Sequence, residues 1–231
     1  MDSAQTAGGR SEQADAGGPD SDPATGRSVT QEEILENHER FKARTALFRK
    51  HGYDSDRANA FILSQTPAWP ARALDIGSGK GRFLVALLKH SHAVTSVDID
   101  YAEQGFARLN VAYEGLSDRV RFLQADATRL PFRDATFRTV VSVNALHHFR
   151  DWRPLLSEVV RIMHPQGTVV LADFNEKGFN VLDRLYSKEG KVHPRVIYRI
   201  RDIVQTLSSQ GWRIRMAEVE CQWVLTGSRF P

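Results

Sequence analysis

The chain is expected to be an α/β protein built on a doubly wound, mainly parallel seven-stranded sheet that closes with an antiparallel hairpin. Three observations carry that expectation. Short apolar runs alternate with helical patterns from residue 72 onward, an order that calls for a parallel sheet covered on both faces by right-handed crossovers. A glycine-rich turn, Gly77-Ser78-Gly79-Lys80-Gly81, joins the first strand to the first crossover helix. The last two strand patterns, 213–219 and 222–226, stand too close together for a crossover helix and must pair as a hairpin.

Each element has its own local reason. Residues 31–50 place Ile34, Leu35, Phe41, Leu47 and Phe48 at helical spacing, with Thr30 as cap and Glu33 as its capping-box partner. A second helix is expected over 55–64, and Pro67 and Pro70 break the chain before the first strand at 72–76. Then follow a helix at 81–89, a strand at 93–98, a helix at 101–113 and strands at 120–124 and 138–143. A helix at 152–163, a strand at 168–173 and a long helix at 195–210, ended by Gly211, complete the pattern before the hairpin.

The 231 residues leave room for one large domain over 31–231 once the first 30 are set aside. That leading segment lacks Leu, Ile, Phe, Trp and Tyr, so it has too little apolar surface to order itself and is expected to be a disordered tail. The net charge of +3 is uneven: residues 1–27 hold five acids and two bases, a balance of −3, which leaves +6 for residues 28–231. Such an excess suits anionic substrates or nucleic acid, but scattered arginines on solvated faces are the commoner explanation of it. No secretory signal and no apolar run of membrane-spanning length is seen, so the expectation is a cytoplasmic protein without membrane insertion. The single cysteine, Cys221, excludes an internal disulfide and a cysteine-based zinc cluster; its alternating surroundings suggest a small buried hydrophobe in a strand.

The run Asp75-Ile76-Gly77-Ser78-Gly79-Lys80-Gly81 departs from a dinucleotide fingerprint, whose third glycine would fall where Arg82 stands. It resembles motif I of the class I S-adenosylmethionine-dependent methyltransferases, and the resemblance spans residues 70–231. The subgroup it resembles includes quinone-biosynthesis methyltransferases. The resemblance implies a Rossmann-like fold and S-adenosylmethionine as cofactor. In an open doubly wound sheet, ligands sit outside the carboxyl ends of the strands at the switch point. There the amides of Gly77, Ser78 and Gly79 can approach the cofactor, and Asp75 by resemblance serves its methionine end. Asp98 ends the second strand, with Ile99 beside it, where a carboxylate can accept from both ribose hydroxyls; Asp100 is a competing candidate, and the spacing suits NAD equally. Asp126 and Ala127 follow the third strand in what looks like the family's adenine segment. Asn144-Ala145-Leu146-His147-His148 resembles the segment beside the methionine moiety and the substrate, with Asn144 and Leu146 as wall positions.

Methyl transfer from a sulfonium is an in-line displacement in which the protein aligns and dries the site, and a base is needed only for a nucleophile that starts protonated. His147 and His148 are the candidate catalytic residues. No metal is expected, because adjacent residues in extended chain point oppositely and no third ligand follows nearby. The helices of 31–70 and a substrate-cap insertion at 174–194 supply aromatics over a small-molecule acceptor, with Tyr186 and His193 as substrate candidates. The nucleic-acid motifs of related enzymes are absent, which argues against RNA methylation and leaves only the basic run 195–201 in its favour. A nicotinamide-dependent oxidoreductase, and a binding protein that has lost catalysis on the same fold, compete with the methyltransferase reading.

Overall fold

The computed structural model describes residues 29–66, 69, 72–91, 93–193, 195, 196 and 198–229; most of the expected tail lies outside them. Two helices come first, α1 (Gln31–Lys50) and α2 (Ser55–Ser64). Thr30 and Glu33 close a reciprocal capping box on α1, and the Asp54 carboxylate takes the first amides of α2. The strands β1 (Arg72–Ile76), β2 (Ala93–Asp98), β3 (Val120–Gln124), β4 (Phe137–Val143), β5 (Met163–Phe174), β6 (Arg213–Val219) and β7 (Gln222–Ser228) form one sheet. Its order is β3-β2-β1-β4-β5-β7-β6, parallel from β3 to β5 and antiparallel where β7 joins β5 and β6.

Between the strands lie α3 (Arg82–Leu88), α4 (Tyr101–Tyr113), α5 (Arg153–Ile162), α6 (Glu176–Lys188) and α7 (Ile200–Ser209). Two apolar layers sandwich the sheet. On one face α5 and α7 bury Leu155, Leu156, Val159, Ile162, Ile203 and Leu207 against Leu74, Val140 and Leu171. On the other, α2, α3 and α4 bury Ile62, Leu84, Leu87, Ala107 and Val111 against Val94, Val141 and Val170. The alternating sides of one strand thus feed two cores, as a parallel sheet buried on both faces requires.

Four local expectations need correction. The strand expected at 168–173 begins at Met163, because 163–167 doubles into a bulge where β4 advances two residues while β5 advances five. Gly167 sits where a side chain would run into Met163 and the His164 carbonyl. The helix expected at 195–210 starts only at Ile200, since the Val196 amide is drawn away to the His147 carbonyl at 2.7 Å. The insertion at 174–194 contains α6, whose apolar positions Val181, Leu182 and Leu185 repeat with helical spacing behind an Asn175 cap. Cys221 is buried as expected but lies in the β6–β7 turn, where its thiol donates to the Gly52 carbonyl at 3.3 Å. Among the described residues no helix is long and apolar enough to cross a membrane.

Two glycines test this packing. Gly81 has φ +79°, and a Cβ there would meet Ala107 Cα at 3.1 Å, so Gly81→Ala should cost about 2 kcal/mol in urea unfolding. Gly105 lies inside α4 with open space around it, and Gly105→Ala should instead stabilise by about 0.5–1 kcal/mol.

Candidate functional site

The carboxyl ends of β1, β2 and β4, together with α1 and α6, enclose a cavity of about 1060 Å³. At one end lies the glycine loop. Gly77 and Gly79 have φ +87° and +45°; a Cβ on Gly77 would collide with Ala145 Cβ at 2.6 Å, whereas the space around Gly79 is open. Asp98 Oδ2 accepts the Gly79 amide at 2.7 Å and Oδ1 the Asp100 amide at 2.9 Å, so the carboxylate is fixed while each oxygen keeps a lone pair. The Asp100 side chain is engaged elsewhere, since its Oδ1 caps α4 through the Ala102 and Glu103 amides at 2.9 and 3.0 Å. Beneath the loop, Asp75 is buried and accepts from Ser96 Oγ at 2.7 Å, and Ser96 meets Ser78 Oγ at 2.5 Å. Burial raises the Asp75 carboxyl to about 7, against a smaller lowering by Ser96 and a further raising by Asp98.

The strand end of β4 supplies the other wall. Asn144 adopts φ +56°, a left-handed conformation tolerated by Asn, and its amide is held by the Ala172 carbonyl at 2.8 Å. Its side chain donates to Tyr53 Oη at 3.3 Å and accepts from Gln222 Nε2 at 2.5 Å. Residues 146–148 then form a single 3₁₀ turn. His147 is buried; its ring Nδ1 lies 2.7 Å from Asp173 Oδ1 and its amide donates to Asp173 Oδ2 at 2.9 Å. Nδ1 therefore carries the proton, and among the described residues Nε2 has no partner. Asp173 also accepts from the Phe174 amide at 2.7 Å and from Tyr198 Oη at 3.0 Å. His148 and His193 stand close by, with ring centroids 4.0 and 5.1 Å from that of His147. Displacement of water by the surrounding protein, followed by the neighbouring imidazoles, holds both below the ordinary histidine value, although His148 keeps an exposed edge.

A cap covers the cavity. The Tyr186 ring meets His193 edge-on at 4.8 Å. Arg44 of α1 pairs with Glu189 just past α6, and its guanidinium lies over Phe48 and Tyr186 at 5.0 and 5.5 Å. Arg82 lies over Phe41 at 4.5 Å and donates to Thr45 Oγ1 at 2.6 Å. Burial lowers its guanidinium from the ordinary value, yet it stays charged at neutral pH.

The cavity wall gathers Asp75, Gly77, Ser78, Gly79, Asp98, Ile99, Asn144, His147, His148, Tyr186 and His193 from the sequence expectations. It leaves out Asp126 and Ala127. Asp126 is exposed and its Oδ1 accepts from Thr128 N and Oγ1 at 2.8 and 2.7 Å, a local turn, while Ala127 is buried in the core. Leu146 is likewise core rather than wall. The reasoning that excluded a metal also fails here: the chain is turned rather than extended at His147 and His148, and His193 comes to them from far along the sequence. Asp173, Arg44 and Arg82 were missed. For Asp173 the signal was present, since it ends an apolar strand just as Asp98 does. A smaller pocket of about 330 Å³ between 150–153 and 196–202 contains none of the expected site residues.

The raised Asp75 carboxyl makes a prediction with a definite sign. Its contribution to stability is complete below the unfolded value near 3.8 and fades as pH rises through about 7. Asp75→Asn should therefore gain on the wild type in melting temperature between pH 5 and 8, by on the order of 2–4 kcal/mol in stability. Parallel pH curves for the two proteins would sink this assignment.

Residues 74–171 match the methyltransferase domain model. The chain is 33% identical over 132 residues to the demethylmenaquinone methyltransferase of Deinococcus radiodurans, covering 55% of this chain and 53% of that protein. The chain thus spans about half the length of the curated relatives it matches. Among solved structures, an S-adenosylmethionine-dependent methyltransferase from Aquifex aeolicus superposes with a TM-score of 0.60 at 18% identity, covering 83% of this chain and 98% of that one. The [4+2]-cyclase SpnF superposes with a TM-score of 0.61 at 17% identity, covering 75% and 81%. In its sheet order, its glycine loop and the domain match over residues 74–171, the chain is similar to S-adenosylmethionine-dependent methyltransferases and shares their fold.

Proposed function

We propose that the protein transfers a methyl group from S-adenosylmethionine to a small organic acceptor held under the cap. The observation that carries this reading is one continuous cavity with a nucleotide-type loop at one end and an oriented histidine under aromatic cover at the other. Its volume of about 1060 Å³ is at the top of the range for small-molecule sites, roughly 300–1,000 Å³, which suits two ligands side by side. The residues fit the donor. Open space at Gly79 admits a ligand against the main chain, and Asp98 keeps acceptor capacity for a pair of hydroxyls.

Bound S-adenosylmethionine supplies an electrophilic methyl carbon on a sulfonium that carries its own leaving group. The protein's part is to position, to exclude water and to move one proton. Gly77, Ser78, Gly79, Asp98 and Ile99 hold the nucleoside side, and Asp75 with Asn144 the methionine side. The buried Asp75 suits a neighbour that can donate to it or carry positive charge. The Arg44–Glu189 pair ties α1 to the end of α6 over the cavity and helps to keep water from the reacting atoms.

At the far end, the acceptor's hydroxyl proton passes to His147 Nε2. Asp173 holds the ring in the tautomer that leaves this nitrogen basic and stabilises the imidazolium that forms. His148, Tyr186 and His193 then frame the acceptor. Loss of that proton enriches both the oxygen and the ring carbons conjugated with it, so either could be the attacking atom on a hydroxylated ring. Arg44 and Arg82, over aromatic faces, suit such a flat, electron-rich acceptor. Similarity to a demethylmenaquinone methyltransferase supports a quinol-type compound as the first class to test.

Two measurements test the reading. Calorimetry should show binding of S-adenosylhomocysteine and none of NAD, with Asp98→Ala weakening the former by about 1–3 kcal/mol, roughly 5- to 150-fold. Tight NAD binding without a response to S-adenosylhomocysteine would overturn it. With a radiolabelled methyl donor and a quinol acceptor, His147→Gln should lower kcat by about 100-fold or more while leaving affinity for S-adenosylhomocysteine unchanged. An unaltered kcat removes His147 from the chemistry.

A further inference from the structure

We propose that His147, His148 and His193 together bind one divalent transition-metal ion of the imidazole-preferring kind, such as Zn²⁺ or Co²⁺. Each residue offers one ring nitrogen, and the three lie within 4.8 Å of one another. Nitrogens on one tetrahedral ion stand about 3.4 Å apart, so the cluster needs only a modest closure. His148 has an exposed edge and His193 sits on non-helical chain, so both rings have freedom to make it.

The pattern of hydrogen bonds separates these imidazoles from ordinary packed histidines. His147 is 1% exposed, yet among the described residues its Nε2 has no partner, and His193 Nδ1 in the same cluster is also buried without one. Buried polar atoms are nearly always satisfied, and two unpartnered ring nitrogens in one cluster of imidazoles are what a cation would satisfy. Behind His147, Asp173 takes the Nδ1 proton, the carboxylate–histidine arrangement that orients a metal ligand and raises its basicity. The chain just after the third ligand is held from three directions. Val196 N donates to the His147 carbonyl at 2.7 Å, Arg195 pairs with Asp183 at 3.1 Å, and Tyr198 Oη donates to Asp173. The segment that carries His193 is therefore tied to the very turn that carries the other two.

Three protein nitrogens leave a fourth position, and the cavity supplies the space for it. An acceptor hydroxyl bound there would lose its proton to water more readily, because the ion stabilises the oxyanion. The Nε2 lone pair would then go to the ion, which activates the hydroxyl in place of the His147 base of the metal-free protein. This role toward the acceptor rests on the methyl-transfer reading; binding of the ion does not.

The test uses the untagged full chain, stripped with chelator and titrated with Co²⁺ while the visible d–d absorption is followed. One Co²⁺ per chain with intense four-coordinate bands is expected, and affinity should fall by at least about 10-fold in His193→Asn and further in His148→Ala/His193→Asn. Circular dichroism checks that these variants fold, and S-adenosylhomocysteine affinity on the same samples reports on the methyl-donor reading separately. Absence of the bands in the wild type, or bands of equal strength in the double variant, overturns the proposal.

Discussion

The winding of the sheet reverses between β1 and β4, and the site depends on that reversal. Both strands run parallel and side by side, but the chain leaves β1 toward the face covered by α3 and leaves β4 toward the face covered by α5. Their exit turns therefore diverge, which is the arrangement that opens a crevice at the strand ends. The two turns still touch at one point. Gly77 packs on Ala145 with no room for a Cβ, and Ser142 Oγ donates to the Ile76 carbonyl at 3.0 Å. That contact sets the floor of the cavity, so the first glycine serves the fold before it serves any ligand.

From that floor the polar groups are arranged by what each must satisfy. Asp98 is held by two amides, which locks the glycine loop to the end of β2. Asp75 is less well provided, with Ser96 as its one side-chain donor among the described residues, and burial dominates its ionisation. Asp173 is the opposite case. Fully buried, it accepts two amides, an imidazole and a phenol, and so joins the turn after β4, the end of β5 and the chain before α7. A carboxylate so well supplied with donors avoids the desolvation cost that an unpaired one would suffer. The same bonds decide which nitrogen of His147 is free.

The cap is held by different physics. Its inner face, Val181, Leu182 and Leu185, is buried with Phe48, Tyr53 and Phe174 in a third apolar cluster, and above that lie aromatic edges, guanidinium faces and a pair of charges. The buried cluster anchors α6, whereas the charged and aromatic contacts above it are individually weak and partly solvated.

Most of the fold was legible in the sequence, because strand and helix periodicity, capping boxes and glycine turns act over a few residues. Thr30 with Glu33, Asp98 at the end of an apolar run and the short link before Gln222 each announce their structure locally. The sequence by itself determined the sheet type, the loop and the candidate residues at the strand ends. It misjudged elements whose ends are set from elsewhere: α7 is shortened by a bond to His147, and β5 is lengthened by a bulge against β4. Only the tertiary structure decided that Asp126 satisfies its own turn outside the cavity, that Asp173 stands behind His147, and that His193 meets two neighbouring histidines. The last two join residues 26 to 46 positions apart, and no local periodicity encodes them; they follow from how the whole chain packs.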